Sequence, residues 1–311
     1  MLKHSILAPM LHVSSRFARS AMARTLFALP WFAGLLTAPI AIADEPTLSE
    51  VLYGSVGDIA LRLDFYEPTQ RRQERPLIVW VHGGAWRSGS KSGVPIIKLR
   101  EQGFAIASVD YRLSPVAKFP AQTHDIKSAI RFLRANADRF GFDANRFVLA
   151  GSSAGGHLAV LAAVSDGVAE LSGSLEVPEN ISSSVQAVVS FFGAGNLQTI
   201  LSQSTPFGLD VRVPALQLLL GGQPEQQPTL ARLASPVEHI DSRDPPLWLF
   251  HGDQDPQMPI NQSHELAGAY KKVGVPVQFE VVYGGKHGGS GFFTDEQLRR
   301  LGNELFRSLQ H

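Results

Sequence analysis

The sequence predicts an α/β fold: a mostly parallel central sheet with helices on both faces and a small helical insertion. Three observations predict it. Strand-like runs alternate with helix-like runs, the order that a parallel sheet with crossover helices requires. The run Pro76–Val81 is continuously apolar, as a strand covered on both faces must be, and Phe104–Val109 reads as a second buried strand. The run after Pro120 places Ile126, Ala129, Ile130, Leu133 and Ala137 on one face at helical spacing.

Each element follows from its local pattern. Ile59–Phe65 alternates as a strand, and Leu77–Val81 is a buried strand. Val94–Glu101 reads as a short helix, Phe104–Val109 as a second buried strand, and Pro120 opens a helix through Asp138. Arg146–Ala150 is the next strand, followed by an Ala- and Leu-rich helix over Ala154–Val164. Val185–Phe192 and Leu247–Phe250 are strands, Asn261–Val273 a helix, Val277–Val282 a strand and Glu296–Leu309 a closing helix. The stretch Asn196–Ser235, rich in Leu, Gln and Pro, has no strand rhythm and reads as an inserted cap.

The 311-residue chain is 44% hydrophobic and 18% charged, which suits one large globular domain and argues against disorder. Its formal net charge is zero, so no polyanion is suggested and nucleic-acid binding is not expected. It has no cysteine, which excludes disulfides, thiolate metal sites and a cysteine nucleophile.

Residues 1–43 are expected to be a signal peptide. They carry Lys3, Arg16, Arg19 and Arg24 and no acid, then an uncharged apolar run ending Ala41-Ile42-Ala43, a small-residue cleavage pattern. Pro30 and Pro39 make that run a poor membrane span, and residues 22–43, opening at Met22, are alone of ordinary signal length. Without residues 1–43 the chain carries 24 basic and 28 acidic residues, a balance of −4. The catalytic domain is then 44–311, with 196–235 as the insertion, exported to the periplasm or the medium and without a stable membrane partner.

Four motifs carry chemistry, each just after an expected strand, where open α/β sheets gather functional groups. Gly151-Ser152-Ser153-Ala154-Gly155 is the only G-x-S-x-G in the chain and lies between a strand and a helix. That context makes Ser153 a nucleophile on a sharp turn, facing the positive end of a helix. His82-Gly83-Gly84-Ala85-Trp86 follows Val81 and supplies amides for a developing oxyanion, those of Gly84 and Ala85 together with Ala154. His82 precedes the serine in the chain and reads as a residue that fixes its loop. His251-Gly252-Asp253-Gln254-Asp255-Pro256 offers two carboxylates that could orient a histidine, and spacing does not choose between Asp253 and Asp255. Gly284-Gly285-Lys286-His287-Gly288-Gly289 presents His287, a general base in the expected serine, acid, histidine order. His124, His157, His239 and His264 have no such setting and read as structural.

These motifs together resemble the acetyl esterase/lipase branch of the α/β-hydrolases, and within it the bifunctional feruloyl and acetyl-xylan esterase group. The matching stretches are HGGAWRSGSK at 82–91, DYRLSPVAKFPAQTHD at 110–125, GSSAGGHLA at 151–159, HGDQDPQMP at 251–259 and GGKHGG at 284–289. The similarity spans about residues 50–311 and is most specific in its first half. In the group's pattern the last aspartate of the HG-x-x-D stretch is catalytic, which implies Asp255. Ala85 stands where the group has a third glycine, and the 196–235 insertion matches no motif.

The resemblance implies a serine esterase, without metal or cofactor, acting on a small-molecule or carbohydrate ester by acyl transfer through Ser153, His287 and Asp255. The acyl group is expected to be short, with Ala85 and Trp86 crowding a long one. An arylformamidase or peptidase would keep this triad, and a lipase would need an apolar cleft under the insertion. A non-catalytic binding protein of this fold would ordinarily lack a triad member, and none is missing.

Overall fold

The computed structural model describes residues 45–70, 75–173 and 180–310; segment 1–43 with its expected cleavage site lies outside them. The strands are β1 (Leu48–Val56), β2 (Ile59–Tyr66), β3 (Leu77–Val81), β4 (Ala105–Val109), β5 (Phe147–Ser152), β6 (Ala187–Phe191), β7 (Leu247–Gly252) and β8 (Val277–Val282). They form one sheet in the order β1-β2-β4-β3-β5-β6-β7-β8. The β1–β2 and β2–β4 pairs are antiparallel and all others parallel.

The helices are α1 (Ala121–Ala135), α2 (Ala137–Phe140), α3 (Ala154–Val164), α4 (Ala169–Ser172), α5 (Ile200–Gln203), α6 (Pro206–Leu220), α7 (Pro228–Leu233), α8 (Asn261–Val273) and α9 (Asp295–Ser308). Along β3, Leu77, Val79 and Val81 pack on the face covered by α1, α3 and α8, while Ile78 and Trp80 face α9. This alternation requires both faces of a central strand to be apolar. All eleven residues of α3 are buried, as a helix that is apolar all round must be.

Three expectations change. The helix expected over Val94–Glu101 is a 3₁₀ turn, Ile97–Gln102, closed by Gly103 at φ 97°. The helix from Pro120 stops at Asn136, whose Nδ2 donates to the Phe132 carbonyl at 2.8 Å, and Ala137 starts the separate α2. Strand β1 was not anticipated. It pairs irregularly with β2 and leaves Leu48 and Leu52 exposed, so its alternation is blurred.

The insertion between β6 and β7 is helical. Thr205 caps α6 by accepting from Gly208 N at 3.0 Å, and Pro206 occupies the first turn, where no amide is needed. Ala215, Leu216, Leu219 and Leu220 of α6 enter the core. Among the described residues no helix is long and apolar enough to cross a membrane.

Candidate active site

Because β3, β5, β6, β7 and β8 run parallel, their carboxyl ends share one edge of the sheet, and the motif loops meet there. Ser153 forms the turn between β5 and α3 with φ 52° and ψ −119°, a conformation L residues rarely adopt. The turn needs its glycines. A Cβ on Gly151 would lie 2.4 Å from the Gly155 carbonyl oxygen, and one on Gly155 would lie 2.1 Å from that of Val81. The strained backbone is held by Ser153 N donating to Phe191 O at 2.8 Å and His157 N donating to Ser153 O at 3.0 Å.

Ser153, His287 and Asp255 come together. Ser153 Oγ lies 2.8 Å from His287 Nε2, and His287 Nδ1 lies 2.7 Å from Asp255 Oδ2. In the consistent tautomer Nδ1–H donates to the carboxylate and Nε2 accepts from the serine hydroxyl. Asp255 Oδ1 accepts from Gln257 N and Met258 N, each at 2.8 Å, which fixes the carboxylate on its loop. His251 Nε2 donates to Met258 O at 2.9 Å and lies 3.4 Å from Asp255 Oδ2.

Burial alone would raise the Asp255 carboxyl, but His251, His287 and the loop amides outweigh it and hold the group well below the usual carboxylate range. Burial lowers His287 from its ordinary value, against the pull of Asp255 and with help from the Arg212 charge. The imidazole is therefore neutral at neutral pH, so its bond to Asp255 joins a carboxylate to an uncharged ring. That is the state a general base needs before it takes a proton.

Asp253 faces elsewhere. Its Oδ1 accepts from Gly284 N at 2.6 Å, tying the loop after β7 to the loop after β8. His82 stacks on Tyr111 with ring centroids 4.4 Å apart, and its Nδ1 lies 2.7 Å from Gly83 O. It fixes the glycine loop and does not reach the serine.

Gly84 and Ala85 stand at φ 111° and 53°, and their turn is closed by Arg87 N and Ser88 N donating to Gly84 O at 3.1 and 3.0 Å. The closing bonds leave the Gly84 and Ala85 amides out. Ala154, as the first residue of α3, has an N–H with no partner inside the helix. Gly83, Gly84, Ala85 and Ser153 line one open cleft of about 410 Å³, together with Arg87, Ser88, Ser152, Phe192, Val211, Gln257, His287 and Gly288.

The expectation that Trp86 binds substrate is corrected. Its φ of 60° turns the indole inward, where it is fully buried and its Nε1 donates to His157 Nδ1 at 3.0 Å. His157 Nε2 in turn donates to Ala234 O at 2.7 Å. The chain reading missed Phe192 and Val211 in the cleft wall. Phe192 sits just past β6 with its ring 4.9 Å from the His287 ring, and Val211 comes from α6 in the insertion. Position at a strand end was the available signal for Phe192; Val211 had none. Among the described residues no group of three or more His, Cys, Asp or Glu could hold a metal ion.

Comparison with known proteins places the chain in a family. Esterase LipC of Mycobacterium tuberculosis is 33% identical over 230 residues, covering 72% of this chain and 55% of LipC. The chain thus spans just over half the length of the curated relatives it matches. A truncated carbohydrate esterase from gut microbiota superposes with TM-score 0.75 at 29% identity, covering 85% of this chain and 96% of that one. A thermophilic esterase from Thermogutta terrifontis, solved with propionate bound, has TM-score 0.66 at 27% identity, covering 84% and 94%. The eight-stranded sheet and its helices are those of an α/β-hydrolase. With the BD-FAE family model matching residues 63–270, the chain belongs to the BD-FAE family of α/β-hydrolases.

Proposed function

We propose that this protein is a carboxylic ester hydrolase working by two-step acyl transfer, with Ser153 as nucleophile, His287 as general base and Asp255 orienting the base. The observation that carries this reading is the continuous Asp255–His287–Ser153 hydrogen-bond chain, with steps of 2.7 and 2.8 Å, beneath an open cleft. Ser153 Oγ attacks the ester carbonyl as His287 Nε2 takes its proton. The amides of Gly84, Ala85 and Ala154 stabilise the oxyanion, and Asp255 stabilises the imidazolium. His287 returns the proton to the leaving alcohol, and water repeats the sequence to release the acid.

The acyl group we assign is short, and the alcohol is a carbohydrate or aryl group. Ala85 adds a methyl to the oxyanion loop, and Phe192 and Val211 narrow the cleft. Forcing extra methylenes into a fitted pocket costs about 1–3 kcal/mol. The carbohydrate-esterase likeness and the bound propionate of a neighbour support the same choice. The test is kcat/KM for p-nitrophenyl esters from acetyl to dodecanoyl, in wild type and in Ser153→Ala. The rate should peak at acetyl to butyryl, and folded Ser153→Ala should lose several orders of magnitude. A peak at octanoyl or beyond would make it a lipase, and an active folded Ser153→Ala would end the assignment.

We further propose that residues 1–43 direct export and are removed. Sequencing of the exported protein should then begin Asp44-Glu45-Pro46, and a membrane-bound product retaining those residues would overturn this.

A further inference from the structure

We propose that the cleft is built for esters that carry a carboxylate near the scissile bond, recognised by Arg87 and reinforced by Arg212. The inference rests on the ester-hydrolase reading and names its substrate class.

Arg87 lines the cleft two residues after Ala85. Its backbone is held by the bond from its N–H to Gly84 O at 3.1 Å, while its guanidinium has no acceptor among the described residues. A half-exposed arginine can satisfy itself with water, so that observation alone would decide nothing.

The second observation is Arg212, on α6 next to Val211 of the cleft wall. It is fully buried. Its Nε donates to Gln257 O at 3.3 Å, and Gln257 also lines the cleft. Both terminal nitrogens are buried with no acceptor, and the guanidinium carbon lies 5.9 Å from the ring centroid of Trp86, which follows Ala85. A buried cation whose donors find no acceptor is costly and is ordinarily paired.

No carboxylate lines the cleft to compensate either charge. The nearby candidate, Asp255, is already taken by His287, by two loop amides and by the approach of His251. Burial pushes Arg212 down to about 10, against the pull of the Asp255 charge and with a smaller push from Arg87. Asp255 offsets part of the Arg212 charge, but no acidic residue lines the cleft, so Arg87 presents a positive charge there that no lining residue neutralises. A substrate carboxylate supplies the missing charge, and a guanidinium fork fits it in two parallel hydrogen bonds.

The experiment compares kcat/KM within two pairs of esters, each ratio corrected for the pair's hydrolysis by hydroxide. The acyl arm pairs mono-p-nitrophenyl succinate with p-nitrophenyl butyrate. The alcohol arm pairs 4-acetoxybenzoate with its methyl ester. In at least one arm the anion should be preferred about tenfold or more, the effect of one charge-assisted contact, and added salt should erode the preference. Arg87→Gln should bring that ratio close to one; Arg212→Lys, which keeps a buried positive charge behind the cleft wall, should lower it less. Equal or better turnover of the neutral ester in both arms would overturn the inference and leave the esterase reading intact. A preference that survives Arg87→Gln would overturn it too. Failure to hydrolyse any of the four esters would sink the esterase reading with it.

Discussion

Asp253 and Asp255 stand on one loop, and only Asp255 faces the imidazole. Asp255→Asn should cut kcat by roughly 10³–10⁴-fold, because an amide neither fixes the tautomer nor stabilises the imidazolium. Asp253→Asn keeps an oxygen that can accept from Gly284 N at an exposed bond and should cost far less. Steady-state kinetics on both variants checks this, and reversed effects would exchange the assignments. Spacing left the two acids tied because it does not tell where a turn points its side chains. The direction is set by Gln257 and Met258 amides folding back onto Asp255 Oδ1. Trp86 misled for the same reason: it adjoins the oxyanion loop in sequence, but a left-handed backbone aims it at His157.

At the scale of elements, strands β3 to β7 were legible because each buries both faces and so reads as a mostly apolar run, interrupted at most by a small or polar residue such as Ser108 or Ser190. Strand β1 was not, since a bulged edge strand with exposed leucines loses its two-residue rhythm. The helices of the insertion were legible only as an absence of strand pattern, because α6 is apolar on its exposed side as well, at Phe207, Val213 and Leu218. The β5–α3 elbow makes a sharp claim. Gly155→Ala would place its methyl 2.1 Å from Val81 O and 2.5 Å from His82 O, backbone atoms that cannot swing aside. It should destabilise the protein by about 1–3 kcal/mol and displace Ser153. Gly268, in α8, has nothing within 4 Å of an added Cβ. Gly268→Ala should therefore stabilise by about 0.5–1 kcal/mol through helix propensity. Denaturant titrations of the two variants should move in opposite directions, and a shared sign would refute the packing argument.

Across the whole molecule, His157 ties together the oxyanion loop at Trp86, helix α3 and the end of the insertion at Ala234. Burial pushes it down to about 4, the Ala234 bond opposing and the Arg212 charge assisting. Protonation would put the ring's second hydrogen on Nδ1, against the indole N–H it now accepts. The folded pKa is depressed, so the unfolded chain binds the proton first. The stability this gives is fully present above the ordinary histidine pKa of about 6.5 and is lost as pH falls toward the folded value. At about 1.4 kcal/mol per pKa unit the loss is on the order of 3 kcal/mol. Denaturant titrations from neutral to mildly acidic pH should show that slope. His157→Gln, which can still accept from Trp86 and donate to Ala234, should flatten it; an unchanged slope would place the effect elsewhere.

Ser153 and His287, the proposed nucleophile and base, are separated by 134 residues, and His287 follows the last strand of the sheet. A chain emerging from its amino end reaches the nucleophile turn long before it has anything to draw off the hydroxyl proton. On the proposed mechanism, Ser153 stays an ordinary alcohol until β8 docks beside β7 and brings His287 to it. On that reading, turnover would report that the sheet is complete out to its final strand.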